Sequence, residues 1–232
     1  MEFMSLMRSR HWATLLAALA VWTLFSGCAG SEIRDSDPAA LFGDAEKDIE
    51  NSRYQLATDK LRMIRNKFPY SKYSVDAQLK MADVYFMQES YGEAAIAYET
   101  FRDLHPKHER VAYAMFRIGK SHFNDIPSPL SRDLTPAQKS ISAYGDFLQR
   151  FPNSPDAEEA KKDLTEATRQ LSEKEFYIAN FYWREKNWEA AKNRYLKLIA
   201  QYPDTEAAKK SSERVAQIDR KLESAKADAE KK

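Results

Sequence analysis

Cysteine is almost absent. Cys28 is the only one, so no intramolecular disulfide can hold the fold. Glycine is scarce, at 6 residues in 232, and strand-type alternation is hard to find, which argues against a sheet-rich chain. The apolar run Ala13–Phe25 covers 13 residues, too few for a comfortable bilayer span. An excess of one charge is missing as well. Removing residues 1–27 takes away Glu2, Arg8 and Arg10 and leaves 34 basic and 34 acidic residues, a balance that argues against bulk nucleic-acid binding as the main task and leaves room for local patches. No G-x-S-x-G elbow, phosphate loop or dinucleotide fingerprint is present, and scattered carboxylates carry no information without geometry. The chain therefore does not read as an enzyme, and no cofactor is implied. What remains is abundant Ala, Glu, Lys, Leu and Arg, the composition of an all-α chain.

The N-terminus has the layout of a secretory signal: a basic start with Arg8 and Arg10, the short apolar run, then small residues. Leu24-Phe25-Ser26-Gly27-Cys28 resembles a bacterial lipobox, with Phe25 where that pattern prefers leucine. The resemblance implies removal of residues 1–27 and lipidation of Cys28. Each buried acyl methylene would add about 0.8 kcal/mol of membrane affinity. Ala29 after the cysteine, rather than aspartate, implies sorting to the outer membrane, facing the periplasm. Residues 28–39 are short and polar and read as a lipid-anchored tether.

A spaced pattern organises the rest. Ala82, Tyr85, Ala94, Tyr98 and Pro106 recur in register as Ala179, Tyr182, Ala191, Tyr195 and Pro203. Small residues allow two helices to approach, aromatics fill the space beside them, and the proline follows the second helix, where the helical ladder cannot continue. This resembles the tetratricopeptide repeat, a helix–turn–helix unit of about 34 residues that buries its apolar face by stacking on its neighbours. The expected fold is an all-α superhelical solenoid of about five such repeats over residues 40–222, with a frayed or disordered tail at 223–232.

Degenerate units fill the frame. The first keeps Tyr54, Ala57 and Leu61, with Asp48 where an aromatic is expected. The third is interrupted by a proline-bearing loop, 125–135, and resumes near Pro136; such a loop is either a tolerated insertion or a binding element. The fourth opens after Ser154-Pro155 with a long helix to about Lys186, and a last amphipathic helix spans Glu206 to about Leu222. His105 and His108 flank a proline and read as a surface turn rather than metal ligands, and His122 reads as a packed side chain.

Placing the frame on the chain points one helix of each unit at a concave surface. The inward residues are Phe42 in the first unit, Leu79, Asp83 and Phe86 in the second, and Tyr113, Phe116 and Lys120 in the third. In the fourth they are Phe176, Asn180 and Trp183. An aromatic groove with a few polar groups suits an extended peptide or a partner helix, although the same aromatics could be core.

The segments FPYSKYS, LHPKHERVAYAMFRIG, SAYGDFLQRFPNS and YPDTEAA, downstream of a lipobox, are similar to the BamD family of outer-membrane lipoproteins over Cys28 to about Leu222. That resemblance implies a non-catalytic, lipid-anchored scaffold of the β-barrel assembly machinery. It implies contact with the insertase BamA through the C-terminal repeats, at Phe176, Asn180 and Trp183, and with accessory lipoproteins in some organisms. The N-terminal repeats would receive the aromatic-ended C-terminal segments of unfolded outer-membrane proteins at Phe42, Leu79, Asp83, Phe86, Tyr113, Phe116 and Lys120. The alternative is a repeat lipoprotein serving another envelope machine, such as a secretin pilotin or cell-division factor.

Overall fold

The computed structural model describes residues 37–128 and 132–230. Cys28, the signal segment and most of the tether lie outside the described residues. Among the described residues all regular structure is helical: α1 (Pro38–Glu50), α2 (Tyr54–Lys67), α3 (Lys72–Met87), α4 (Tyr91–Leu104), α5 (Val111–Asn124), α6 (Thr135–Arg150), α7 (Ala157–Arg184), α8 (Trp188–Gln201) and α9 (Glu206–Glu230). The all-α helical-repeat class expected from the sequence is the one found. The chain divides into two compact units, one through Met81 and one from Ala82, with the division falling inside α3.

In the first unit α1 packs on α2, and Ala45, Ala57 and Leu61 are fully buried between them. The Asp37 carboxylate caps α1, accepting from the Ala39 N–H at 3.0 Å, and Pro38 occupies the first turn, where its missing N–H costs nothing. This cap starts the helix at Pro38, ahead of the expected end of the tether at Ala39. Asp48, the exception to the aromatic frame, is buried and doubly paired, with Lys60 at 2.6 Å and Arg53 at 2.7 Å. The Lys60 hydrogen bond and the two cations outweigh burial and hold this carboxyl below its ordinary range.

In the second unit consecutive helices from α4 to α9 pack on one another, and α7 also touches α5 and α9. The small and aromatic frame residues Ala94, Tyr98, Ala179, Ala191 and Tyr195 are fully buried. Turn chemistry is repeated too. α2, α4, α6 and α8 each end at a residue that precedes proline, namely Phe68, His105, Phe151 and Tyr202, with φ of −128°, −128°, −131° and −134°. A proline disfavours the helical region for the residue before it, so each helix stops one residue short of the ring.

The hairpin turns close differently. Ser52, Glu89 and Lys186 share one position of the repeat and all lie in the left-handed region, at φ 57°, 59° and 57°. Each is the C′ residue of a Schellman motif: Ser90 N–H bonds Tyr85 C=O and Glu89 N–H bonds Phe86 C=O, and the same pair of bonds recurs at Ser52–Arg53 and Lys186–Asn187. The left-handed turn at Lys186 ends α7 at Arg184, two residues before the expected boundary. Because only glycine adopts this conformation without a Cβ penalty, Lys186→Gly is expected to stabilise the protein by about 0.5 kcal/mol, net of glycine's larger folding entropy. Urea denaturation reads this directly, and a loss of stability would mean that the lysine side chain holds the turn.

The 125–135 loop falls where expected, and the C-terminal boundary does not. The 125–135 stretch is anchored at both ends: Leu134 is buried in a cluster with Ala137, Ala167 and Leu171, against which Phe123 and Ile126 also pack. Asp133 accepts from both the backbone N–H and the hydroxyl of Thr135, and Pro136 sits in the first turn of α6 as expected. At the C-terminus α9 continues to Glu230 rather than ending near Leu222 before a frayed tail. Residues 223–230 are rich in Ala, Glu and Lys and contain no glycine or proline, so nothing local interrupts a helix already started on the α8 contact.

Candidate binding surface

The polar inward positions of the frame are Asp83, Lys120 and Asn180, and a tyrosine hydroxyl finds its acceptor at the first and the last. Tyr98 donates its hydroxyl to Asp83 Oδ1 at 2.7 Å, and Tyr195 donates to Asn180 Oδ1 at 2.7 Å. A tyrosine at a tight helix crossing buries its ring and must find an acceptor for its O–H, and the frame supplies one on the facing helix. In the third unit the frame offers Lys120 instead, which cannot accept. Tyr144 therefore donates to Asp163 Oδ2 of α7 at 2.7 Å, and Lys120 pairs with the same oxygen at 2.7 Å and with Glu159 at 2.8 Å. Burial, which would lower the Lys120 pKa, is outweighed by these two carboxylates, and the ammonium is held above its ordinary range.

Asp83 is only 5% exposed and also accepts from Tyr113, on the same Oδ1, at 2.8 Å. Burial first and the Asp83 charge second push the Tyr98 hydroxyl far above its ordinary value and the Tyr113 hydroxyl up to about 12, so both remain donors at physiological pH.

The residue that completes this cluster, Arg117, was not among those expected from the sequence. Its Nε donates to Tyr98 Oη at 3.2 Å. Its guanidinium carbon lies 3.6 Å from the Phe86 ring centroid and 5.7 Å from each of the Tyr98 and Tyr113 centroids. Phe86 is in turn buttressed edge-on by Tyr91, at 5.2 Å. Tyr113, Arg117 and Lys120 follow helical spacing along α5, with Arg110 at its N-cap, so the signal that could have found Arg117 was present: it lies one turn beyond Tyr113 on the same stripe.

Of the expected groove residues, Phe86, Tyr113 and Lys120 are half-buried and share this surface with Arg117. Two others do not line a groove. Leu79 is fully buried, and Phe116, 5% exposed, is core, clustered with Met115, Tyr144, Phe147 and Ala160. The stripe on α5 that faces α6 takes Phe116 with it, because its ring fills the space beside Tyr144 and Phe147 at 6.0 and 5.8 Å. Asp83 likewise serves its two tyrosines from inside. Phe42 belongs to the first unit, where it packs on Tyr73 at 5.7 Å.

The expected partner-facing residues of α7 are turned toward the hairpin. Phe176 packs on Tyr195 at 5.8 Å, Asn180 accepts from Tyr195, and Trp183 meets Trp188 edge-on at 5.2 Å beneath the Arg214 guanidinium. The aromatics that α7 presents to solvent are Tyr177 and Phe181, 54% and 49% exposed, each one position round the helix from Phe176 and Asn180. His105 and His108 both pack against Phe101, at 5.1 and 5.2 Å, and His122 is buried, which lowers its pKa. Among the described residues no helix is long and apolar enough to cross a membrane.

These features define a class: a helical-repeat protein of tetratricopeptide type, with paired α-helical hairpins that display an aromatic and cationic surface. The chain belongs to the YfiO family of outer membrane lipoproteins, whose model matches residues 34–232. It is 31% identical over 211 residues to the outer membrane protein assembly factor BamD of Vibrio cholerae, an alignment covering 86% of this chain and 87% of that protein. It is 27% identical over 214 residues to the assembly factor BamD of Neisseria gonorrhoeae, with 85% and 80% covered.

Proposed function

We propose that this protein is a non-catalytic scaffold of outer-membrane protein assembly, lipidated at Cys28 and held on the periplasmic face of the outer membrane. Residues 1–27 are its cleaved signal, and a short tether joins the anchor to the repeats. The surface built from Phe86, Tyr113 and Arg117 receives extended segments of unfolded outer-membrane proteins. The C-terminal repeats dock on a BamA-type insertase, with Tyr177 and Phe181 as the apolar contact, and accessory lipoproteins attach elsewhere. Family membership and the assembly role named for both relatives support the setting. The observation that carries the binding role is the Phe86–Arg117 stack: an aromatic face and a cation held together at the surface suit a peptide carrying aromatic and anionic groups.

The test is peptide binding to the full-length protein in detergent. Phe86→Ala is expected to weaken binding of outer-membrane-protein C-terminal peptides about tenfold, the loss of one well-placed aromatic and cation–π contact. Phe116→Ala is unsuited to this test because it opens the core. Unchanged affinity in a folded Phe86→Ala protein would remove this surface from the binding role.

A further inference from the structure

In the first unit, three chain ends gather where the tether arrives. α1 and α2 are nearly equal in length, about 20 Å each at 1.5 Å per residue, and pack as an antiparallel hairpin. The end of α2 therefore returns to the level of the start of α1. α3 runs beside α1 in the same direction: Phe42 meets Tyr73 at 5.7 Å, and further along Glu46 pairs with Lys80 at 3.4 Å. The start of α1, the α2–α3 turn at 68–71 and the start of α3 thus share one end. Residues 28–36 join Cys28 to the repeats at that same end. Nine residues at full extension span about 30 Å, so a lipid on Cys28 holds this end within that distance of the bilayer.

The turn at this end differs from its equivalents. The residue after the proline that follows α2, α4, α6 and α8 is Tyr70, Lys107, Asn153 and Asp204 respectively. Three are polar, as suits a turn in water. The aromatic one belongs to the unit that the tether joins. Tyr70 is fully exposed and has no hydrogen bond or ring partner among the described residues. Pro69 beside it is exposed as well. A tyrosine with an apolar body and a polar tip is suited to a membrane interface, where the ring lies at headgroup level and the hydroxyl stays wet.

The charges around it are mainly positive. Arg65, Lys67 and Lys72 are exposed, and none makes an ion pair among the described residues. Arg65 donates to Asn66 at 3.2 Å, and the Lys72 ammonium lies 5.1 Å from the Tyr73 ring. Elsewhere in the unit Arg53, Lys60, Arg62 and Lys80 each have a carboxylate partner. The acidic groups at this end are Asp37, which caps α1, and Asp76, half-buried one turn into α3.

We propose that the α2–α3 turn is a second membrane contact, in which Tyr70 enters the headgroup region and Arg65, Lys67 and Lys72 bind the phosphates of anionic phospholipids. It rests on the lipid anchor proposed above and adds the face that the first unit turns to the bilayer. The anchor alone leaves that unit free to rotate on its tether. With the turn docked, the starts of α1 and α3 face the membrane and the α1–α2 turn at 51–53 faces away. Each cation near an anionic surface strengthens docking about fivefold, an effect that salt screens.

The test uses the full-length lipoprotein in phospholipid nanodiscs. A nitrobenzoxadiazole probe is placed on Asn66→Cys or, at the opposite end of α2, on Gln55→Cys. The intact mass is read first, and acylation of Cys28 leaves one thiol to label. On discs containing about one-third phosphatidylglycerol in phosphatidylcholine, the probe at 66 is expected to brighten and shift to the blue relative to pure phosphatidylcholine discs. The probe at 55 should not change. High salt should reverse the shift, and Lys67→Glu, a change of two charges, should lower the docked-to-free ratio about 25-fold. An acylated protein with no shift at 66, or with equal shifts at 66 and 55, would overturn this proposal and leave the anchor standing. A shift of the same size on both kinds of disc would overturn the assignment to anionic lipid. A shift in lipid-free micelles that grows with protein concentration would overturn it in favour of a second copy of the chain. A mass without acyl chains would overturn both the anchor and the contact. The comparison of discs and salt needs no charge variant, so a folding defect in Lys67→Glu does not decide the outcome.

Discussion

Gly119→Ala is expected to destabilise the protein by about 2 kcal/mol, although alanine is the better helix former by about 1 kcal/mol. A Cβ built on Gly119 would stand 2.5, 2.6 and 2.9 Å from three ring carbons of Tyr144, far inside van der Waals contact. The ring has nowhere to go. Tyr144 is fully buried, its hydroxyl is tied to Asp163, and Phe116 lies against it. The backbone of α5 cannot easily retreat either, because Ser140 of α6 donates to the Gly119 carbonyl at 3.1 Å. Gly145, in α6, is the control: nothing lies within 4 Å of its Cβ position, so Gly145→Ala should stabilise by up to about 1 kcal/mol through propensity alone. Urea denaturation of the two variants should therefore move in opposite directions. If both are stabilised, α5 and α6 are not in the contact described.

Asp83→Ala should cost about 3 kcal/mol, because it leaves two buried or half-buried tyrosine hydroxyls without their acceptor. Asp83→Asn should cost about 1 kcal/mol or less. Both tyrosines bond the same oxygen, and an amide oxygen has two lone pairs to receive them. The protein already uses this solution two repeats further on, where Asn180 takes the Tyr195 hydroxyl in the equivalent position. The two variants thus separate the need for an acceptor from the need for a charge. An Asn variant as damaged as the Ala variant would show that the cluster requires the negative charge itself.

The features legible in the sequence were those with a local cause. A proline removes helical freedom from the residue before it, so the ends of α2, α4, α6 and α8 could be read directly. The alanines and tyrosines of the repeat were recognisable because a helix crossing admits only small residues at its closest point. The sequence was less informative about which aromatics stay at the surface. Phe86 and Phe116 are both large, apolar and on the inward helices, but Phe116 has Tyr144 and Phe147 beside it while Phe86 has a guanidinium over its face. The difference lies in neighbours distant along the chain. The same holds on α7, where a rotation of one residue exchanges Phe176 and Asn180 for Tyr177 and Phe181 at the surface. One residue turns a helical position by about 100°, a shift that a degenerate repeat frame does not resolve.

By itself the sequence determined that this protein is built of α-helical hairpins, where α2, α4, α6 and α8 stop, and which small residues lie at the helix crossings. Each follows from backbone preference or the size of a single side chain. Only the tertiary structure decided that Asp83 and Asn180 serve buried tyrosines, that Asp163 replaces the acceptor missing at Lys120, and that Arg117 is left stacked and unpaired. Hydrogen bonds and ion pairs depend on which groups the packed helices bring within about 3 Å, and residues 15 to 43 positions apart meet only after those helices have docked.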